Sequence, residues 1–217
     1  MANVLDNLTW LGHSSFSLKI GNNIVFIDPY NLKKLPKTKP DVIFVTHAHF
    51  DHWSPPDIRK ILADYTVVVG TIGCENRNLN MPDNRFIVTE PGKEKISGIK
   101  VKTIPAYNIK QERLNFHPKA NKWVGYIFDV GGSTVYHAGD TDFIPEMKNL
   151  PHIDVAMLPI GGTYTMDVKE AIEAANAIHA DVTIPIHYKR LLGNRAMSAE
   201  DEFVSGVKGK VVIMNES

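Results

Sequence analysis

The sequence predicts an α/β protein in which two β-sheets pack face to face with helices outside, a four-layer αββα sandwich. The 217-residue chain is 43% hydrophobic, so it can bury a sizeable core. Strand-like runs and helical patterns alternate along it, and one order of elements occurs twice. We therefore expect residues 1–217 to form a single domain built from two pseudo-repeated halves.

Ten runs have the composition of strands. They are rich in valine, isoleucine and aromatic residues and are bounded by glycine, asparagine, aspartate or proline. They cover residues 16–20, 24–27, 42–46, 66–69, 101–104, 124–130, 134–137, 155–159, 182–187 and 211–214.

Three segments are predicted to form helices. The first begins at Ser54, which can cap it, with Pro55 at the first helical position and Asp57 at the positive helix end. The second covers about residues 167–179, where apolar side chains recur at helical spacing. The third follows Ser198 in the sequence Ser-Ala-Glu-Asp, which has the pattern of a capping box.

The duplication begins with a hairpin in each half. SFSLKIGNNIVFIDP predicts a hairpin that leads to Asp28, and GYIFDVGGSTVYHAGD predicts one that leads to Asp140. A short gap, an apolar strand, a helix and a further strand follow each hairpin. Two unrelated α/β stretches can share this order by chance. A true duplication would bring equivalent strand ends, and the polar residues that follow them, to one common edge.

A cluster of metal-capable side chains follows the strand at residues 42–46. His47 and His49 are two residues apart, so extended backbone directs both to one side. Asp51 and His52 follow in the turn before the first helix. Imidazole nitrogens and carboxylate oxygens bind zinc and similar ions. We predict two adjacent ions, one held by His47 and His49 and the other by Asp51 and His52; a surface histidine cluster is the alternative.

Further ligands are expected from the second half. Asp140 leaves its strand at a glycine turn and is the predicted bridging carboxylate. His187 ends an apolar strand, where it is either a metal ligand or a hydrogen-bonded core histidine. The repeat favours the ligand, because it brings His187 to the shared edge.

Residues 47–52 have the pattern HxHxDH, which resembles the signature of the metallo-β-lactamase superfamily. Asp28 after IVFI, the GDT sequence at Asp140 and the late His187 agree with that family in order and spacing. The flanking TWLGHSSF, YHAGDTDFIPEM, LPIGGTYTMD and PIHY are similar to its metal-dependent hydrolase branch. That branch is similar to the L-ascorbate-6-phosphate lactonases and, more distantly, to the N-acylphosphatidylethanolamine phospholipase D type. The resemblance implies an αββα sandwich with a metal site at one edge.

One element departs from the family pattern. The family has another ligand histidine between the signature and Asp140, and Asn108 stands about where that histidine is expected. His117 is the single histidine between residues 53 and 133. It either folds back as the third ligand of the first ion, meets substrate from a mobile loop, or does neither. If His117 is not a ligand, Asn108 or water completes that ion's shell.

Other residues are expected to support the ions or meet the substrate. Asp28 is expected to accept a hydrogen bond from a ligand histidine, and His137 to orient its neighbours. His13 either contacts the site or is a structural hydrogen-bonding residue. Tyr164 and Tyr188, together with His117, are candidate donors to a developing oxyanion.

The ligand types and the resemblance imply a hydrolase. Two divalent ions lower the pKa of a shared water from near 16 toward about 7, and the resulting hydroxide attacks a lactone, ester or phosphodiester. Asp51 is expected to bind metal and to orient this nucleophile, so Asp51 and His117 are the predicted catalytic residues. Zinc is the expected metal, while manganese, iron, cobalt and nickel also suit these ligands.

Charge and composition limit the other functions. Lys plus Arg and Asp plus Glu both number 24, so no general attraction to nucleic acid or an anionic membrane is expected. A nuclease of the same superfamily and a non-catalytic metal-binding protein are the alternatives. We expect a small-molecule substrate and leave a homo-oligomer open. No long apolar run, no secretory signal and one cysteine predict a cytoplasmic protein.

Overall fold

The computed structural model describes residues 4–217. The six strands of the first sheet lie side by side in chain order. They are β1 (Leu8–Gly12), β2 (Ser15–Ile20), β3 (Asn23–Ile27), β4 (Val42–Phe44), β5 (Val67–Gly70) and β6 (Phe86–Val88). Strands β1 to β3 are antiparallel neighbours, and β3 to β6 are parallel.

The second sheet has seven strands, which lie in the reverse of chain order. They are β7 (Lys95–Ile96), β8 (Ile99–Pro105), β9 (Val124–Val130), β10 (Ser133–His137), β11 (Val155–Pro159), β12 (Val182–Ile186) and β13 (Lys210–Val211). Strands β7 to β10 pair antiparallel and β10 to β13 pair parallel.

The helices are α1 (Pro55–Ile61), α2 (Val168–Ile178), α3 (Lys189–Leu192) and α4 (Ala196–Gly206). Short 3-10 turns cover Val4–Asn7, Asn76–Asn78, Asp83–Arg85, Lys119–Asn121, Pro145–Asn149 and Gly193–Arg195. Within residues 4–217, no helix combines the length and apolar character needed to cross a bilayer. Residues 1–3, at the start of the segment in which no secretory signal is predicted, lie outside the described range.

The pairing of the strands reproduces the predicted duplication. The β2–β3 hairpin is followed by β4, α1 and β5, and the β9–β10 hairpin by β11, α2 and β12. In both halves the second hairpin strand pairs parallel with the next strand, which pairs parallel with the one after the helix. Equivalent strand ends therefore reach one edge of the molecule.

Alternating side chains on the strands build the layers. Val25, Ile27 and Phe44 belong to the core that both sheets share, and the Phe44 ring lies 5.1 Å from the rings of Tyr126 and Phe128 in the second sheet. The intervening residues face the other way, because side chains alternate along a strand. They form an outer cluster with α1: Phe26, Ile43, Val45, Val68, Ile58 and Ile61. Helix α2 contacts β11 and α4, so the predicted sandwich is confirmed.

The single cysteine, Cys74, lies in the outer cluster of the first sheet. Its thiol is buried and forms no disulfide within residues 4–217. Burial raises the pKa of Cys74 to about 11, against the opposing hydrogen bonds of Thr71.

Three local predictions differ from the structure. Strands β1, β6 and β7 were not among the ten predicted runs, and β6 and β7 are very short. Ser54 does not cap α1; its hydroxyl donates to the Asp57 carboxylate over 2.8 Å. Helix α4 begins at Ala196, so Ser198 lies inside the helix and forms no capping box. The 3-10 turn that leads directly into α4 replaces the cap.

Candidate metal centre

The chain brings seven metal-capable side chains to the shared edge. Four follow β4 in one short loop, one follows β10, one follows β12, and one comes from the long connection between β8 and β9. They are His47, His49, Asp51, His52, Asp140, His187 and His117. Because the carboxyl ends of neighbouring parallel strands meet at one sheet edge, the duplicated topology is what assembles them.

Asp140 lies at the centre of this group and is buried. Its Oδ2 is 3.2 Å from His187 Nε2, 3.4 Å from His117 Nε2 and 3.9 Å from His47 Nε2. Its Oδ1 is 3.3 Å from His52 Nε2. The carboxylate therefore faces four imidazoles, in the position that a bridging ligand requires.

The side chains around Asp140 fall into two groups, each compact enough to hold an ion. His47, His49 and His117 form one group, with 3.1 Å between His47 Nε2 and His49 Nδ1. Asp51, His52 and His187 form the other, which also includes His13. A third group, His47, His52 and Asp140, connects these two.

The loop histidines are held by residues behind them. Asp28 is buried and accepts hydrogen bonds from His52 Nδ1 at 2.7 Å, from the Thr46 amide at 2.8 Å and from the Thr46 hydroxyl at 2.7 Å. Since the Thr46 hydroxyl donates to Asp28, it accepts from His47 Nδ1 at 3.0 Å. Both rings therefore carry hydrogen on Nδ1 and turn Nε2 toward Asp140.

Asn108 performs the same task for His117. The Asn108 amide nitrogen donates to Asp142 at 2.9 Å and to the Tyr164 carbonyl at 3.1 Å. Both partners are acceptors, so the Asn108 oxygen must face His117 Nδ1, at 2.8 Å. His117 therefore carries its hydrogen on Nδ1 and turns Nε2 inward. His117 thus folds back to the metal-capable group, with its Nε2 3.4 Å from Asp140 Oδ2 and Asn108 bonded behind it.

This geometry does not support the predicted donor roles of His117 and Tyr188. The Nδ1 hydrogen of His117 is taken by Asn108, so the ring has no N–H for an oxyanion. The Tyr188 ring stacks on Trp10, and its hydroxyl donates to Glu200 of α4 instead of facing the metal-capable group. Helix α3 begins directly after Tyr188, and this turns the side chain away.

His13 and His137 differ in their distance from the metal-capable side chains. His13 Nε2 lies 3.1 Å from Asp51 Oδ2, and its ring centroid is 4.0 Å from that of His187. His13 thus contacts the group directly. His137 is buried and donates from Nε2 to the Ser14 carbonyl at 2.9 Å, while its Nδ1 accepts from the Gly139 amide. It fixes the backbone beside Asp140 without touching a metal-capable atom.

Left-handed backbone occurs at three of these strand ends. His13, Asp28 and His187 have φ angles of 51°, 44° and 56°, in the left-handed region that non-glycine residues rarely adopt. Such conformations persist where surrounding contacts hold them and often occur at functional sites. Gly139, with φ of 67°, provides the corresponding turn before Asp140, where a Cβ would lie 3.0 Å from the Val124 carbonyl oxygen.

The metal-capable group opens onto a cleft of about 400 Å³. His49, Asp51 and His187 contribute to its floor, and aromatic and aliphatic side chains form most of its wall. The wall residues are Phe50, Phe116, Tyr164 and Leu191, with Arg190 as the cation. Tyr164 therefore lies where a substrate contact was predicted, and its ring meets Phe116 edge-on.

A sequence profile of the Beta-lactamase superfamily domain matches residues 7–187. The chain belongs to the metallo-β-lactamase superfamily. It is 37% identical to a UPF0173 metal-dependent hydrolase of Methanoregula boonei, over 84% of this chain and 82% of the relative. A relative of the same name from Thermoplasma acidophilum is 34% identical over 96% and 95% of the two chains. The crystal structure of a proposed metal-dependent hydrolase from Parabacteroides distasonis superposes with a TM-score of 0.82 at 31% identity, covering 96% of this chain and 92% of the other.

Charge and burial in this superfamily site favour a bound cation. Burial disfavours ionisation of Asp140, but His187 and His52 outweigh burial and hold the pKa of Asp140 well below its usual range. Burial likewise opposes the charged form of His52, yet Asp140 and Asp28 raise the pKa of His52 well above its usual value. Burial lowers the pKa of His47. The carboxylates of Asp140 and Asp28 thus favour positive charge on a group placed beside them.

The donor set fits divalent metal ions. Within the described chain, His52 Nε2, His117 Nε2, His187 Nε2 and Asp140 Oδ1 are buried without a hydrogen-bond partner. Unpartnered buried polar atoms are costly, and these converge on one another. Ligand atoms about 2.1 Å from a tetrahedral zinc ion are about 3.4 Å apart, close to the spacings around Asp140.

Three supporting residues were not identified from the sequence. Thr46 directly precedes the HxHxDH pattern, and Asp142 lies two residues after Asp140, so their positions in the sequence offered a signal. No sequence pattern indicates the role of Arg113. In the structure, Arg113 donates to Asp142 at 3.0 Å and to Glu170 at 2.7 Å. Glu170 forms the capping box of α2 with Asp167. This network anchors the loop that carries His117 to the start of a helix distant in sequence.

Proposed function

We propose that this protein is a metal-dependent hydrolase of small molecules, with a lactone, an ester or a phosphodiester as substrate. The observation that carries the proposal is the opening of the metal-capable group onto a cleft of about 400 Å³. Structural zinc sites are closed by protein ligands, whereas catalytic sites keep a position open to water and substrate. An open centre beneath a substrate-sized cleft favours catalysis over a structural metal clamp.

His47, His49, His117 and Asp140 are the proposed ligands of one ion, and Asp51, His52, His187 and Asp140 those of the other. Zinc is the expected metal, with manganese, iron, cobalt or nickel as alternatives. Divalent ions in such a site acidify water and polarise a carbonyl or phosphoryl oxygen. Asp28, Thr46 and Asn108 are the proposed positioning residues, because they fix the tautomers of the ligand histidines.

Asp51 has the proposed second role of orienting the nucleophile. Burial opposes its ionisation, but the hydrogen bond with His13 and the nearby His187, whose Nε2 lies 3.6 Å away, outweigh burial and lower the pKa of Asp51 below its usual range. The carboxylate is therefore charged at neutral pH and lines the cleft, where it accepts a hydrogen bond from water. Tyr164 remains the proposed hydroxyl donor to the substrate. A single cytoplasmic domain completes the proposal.

The cleft wall supports a small substrate with an apolar portion. Phe50 and Tyr164 are exposed at the rim, and Phe116 and Leu191 line the interior. Apolar walls with few polar groups are typical of small-molecule sites. The overall charge of zero does not favour nucleic-acid binding, so it gives no comparable support to a nuclease function. A salt-dependent gel shift with RNA or single-stranded DNA would favour that alternative.

The proposal is tested by removing and restoring metal. We expect the chelator-treated protein to stay folded by circular dichroism but to lose turnover of 4-nitrophenyl esters, lactones or bis(4-nitrophenyl) phosphate, and zinc or manganese to restore it. The double variant His47→Ala/His49→Ala should have no metal-dependent turnover. His152→Ala, which removes an exposed histidine, is the matched control.

Two outcomes would contradict the proposal. Full turnover by the double variant with metal still bound would reject the ligand assignment. Unfolding of the wild-type protein together with metal loss, without turnover of any probe in any metal form, would instead indicate a structural clamp.

A further inference from the structure

A second cavity, of about 510 Å³, adjoins the metal cleft. His13 and Arg190 line both spaces, so the two cavities share a wall, and a ligand in the metal cleft can contact Arg190 directly. Trp10 and Tyr30 contribute aromatic surface to the second cavity, and Lys33, Lys189 and Arg190 contribute three cations. We call this space the basic cavity.

Arg190 differs from the two lysines in its partners. Lys33 pairs with Glu216 at 2.7 Å and Lys189 with Glu200 at 3.3 Å. Arg190 has no carboxylate within ion-pair distance in the part of the chain that is described; its guanidinium lies 5.3 Å from the Tyr30 ring centre and donates to the Tyr30 hydroxyl. Stacking holds the group in place without neutralising it.

Glu216 shows that the basic cavity accepts a carboxylate. Its side chain lines the cavity and binds Lys33. The carboxylate lies directly on the backbone of Gly12, whose φ is 106° and where a Cβ would come within 2.0 Å of Glu216 Oε1. Gly12 precedes His13 in the chain. An anion is thus already held beside the residue that contacts Asp51.

We propose that Arg190 and the basic cavity bind an anionic group of the substrate, a carboxylate or a phosphate, while its reacting bond lies at the metal centre. In the structure, the Glu216 carboxylate occupies the place at Lys33 that we assign to this anionic group. This inference rests on the proposed hydrolase function for its catalytic reading. The binding of the anionic group depends on this chain's own side chains and can be measured without metal.

The first test compares two esters with the same leaving group. Mono(4-nitrophenyl) glutarate carries a free carboxylate, whereas 4-nitrophenyl valerate does not. The metal-loaded wild-type protein should prefer the anionic ester in kcat/KM, and Arg190→Gln should reduce this preference about tenfold, mainly through KM, because it removes a charge-assisted hydrogen bond. Arg77→Gln, which changes an exposed arginine outside both cavities, should keep the wild-type preference. An unchanged preference in Arg190→Gln would overturn the proposal.

A second variant has the opposite expected effect, so that damage to the fold cannot imitate it. Glu216→Gln removes the carboxylate that occupies Lys33. We expect KM for mono(4-nitrophenyl) glutarate to fall about threefold, since a competing ion pair at the surface is weak. A rise in KM for that ester alone would contradict this assignment of the place at Lys33.

The third test separates this inference from the proposed function. Binding of glutarate and of phenyl phosphate to metal-free protein is measured by titration calorimetry, and the two ligands distinguish a carboxylate site from a phosphate site. Arg190→Gln should weaken the better ligand about tenfold. Such weakening without hydrolysis of any ester would leave the anion site standing and reject the hydrolase. Equal binding by wild-type and variant, or no binding by either, would reject the anion site alone.

Discussion

Asp28 and Asp140 occupy equivalent places in the two halves of the chain, yet their surroundings are opposite. Each follows the second strand of a hairpin, and each is buried. Asp28 accepts three hydrogen bonds from Thr46 and His52. Asp140 faces imidazole nitrogens on all sides, and its Oδ1 has no hydrogen-bond partner within the described chain.

This difference shows that the same backbone arrangement can place two aspartates in surroundings that give them different roles. The duplicated strands determine where each carboxylate stands, but the donors nearby determine what it can bind. Thr46 supplies two donors to Asp28 and leaves little capacity for an ion. Within residues 4–217 no hydroxyl or amide donor is bonded to Asp140 in this way, so its Oδ1 remains available. In the proposed centre, Asp28 would support a ligand histidine, and Asp140 would bridge the ions.

The largest effect is expected from Asp140→Asn, which removes the bridging charge and keeps the shape. The variant should retain at most one of two ions per chain after desalting. Turnover should fall about a thousandfold, since several kcal/mol of charge stabilisation are lost. Metal content by mass spectrometry and the rate with the best ester measure these effects. Asp64→Asn, at an exposed aspartate, is the control; two tightly bound ions in Asp140→Asn would refute the bridging role.

Asp28→Asn should have a smaller and different effect. The amide nitrogen must face either the Thr46 amide or the pair formed by the Thr46 hydroxyl and His52, which are all donors. Loss of such support typically lowers metal affinity about 10- to 100-fold. The metal-free protein should also lose about 1–3 kcal/mol in free energy of unfolding. Metal titration and urea unfolding test both; equal loss of stability in Asp140→Asn would erase the contrast.

The smallest effect concerns the loops that follow β4 and β11. The first carries the HxHxDH ligands, whereas the second contains Thr163, an exposed β-branched residue with φ of 51°. Left-handed backbone destabilises the folded state by about 1–2 kcal/mol for a non-glycine residue. Glycine removes this strain, but it loses more chain entropy on folding, which offsets part of the gain. Thr163→Gly should therefore stabilise the protein by up to about 1 kcal/mol in urea unfolding, with unchanged metal content. Destabilisation would contradict the strain argument, and loss of metal would show that the conformation of Thr163 positions the Tyr164 carbonyl, which accepts from Asn108.

Much of the fold and the ligand cluster could be predicted because the signals are local. Valine- and isoleucine-rich runs mark the strands. His47, His49, Asp51 and His52 lie in one loop, so their spacing is visible directly in the sequence. The duplication then indicated where Asp140 and His187 must lie. Short edge strands such as β7 carry too few residues for a pattern to be visible.

The position of His117 could not be derived from the sequence, because long-range contacts determine it. Its loop is held by Asp142 and Arg113, which reach Glu170 at the start of α2. Nothing in the sequence near His117 encodes those partners. The predicted role of Tyr188 was wrong for a similar reason: its ring stacks on Trp10, which is far away in the chain, and its hydroxyl bonds to Glu200 of α4.

The buried thiol of Cys74 can report how often the outer cluster of the first sheet opens to solvent. A thiol with a pKa near 11 is almost entirely protonated at neutral pH and enclosed under α1, so alkylating reagents react with it only when that layer separates. Because the chain has one cysteine, a single mass shift counts molecules that have opened. Labelling with and without zinc would then show whether metal at the edge restrains the helix layer behind it.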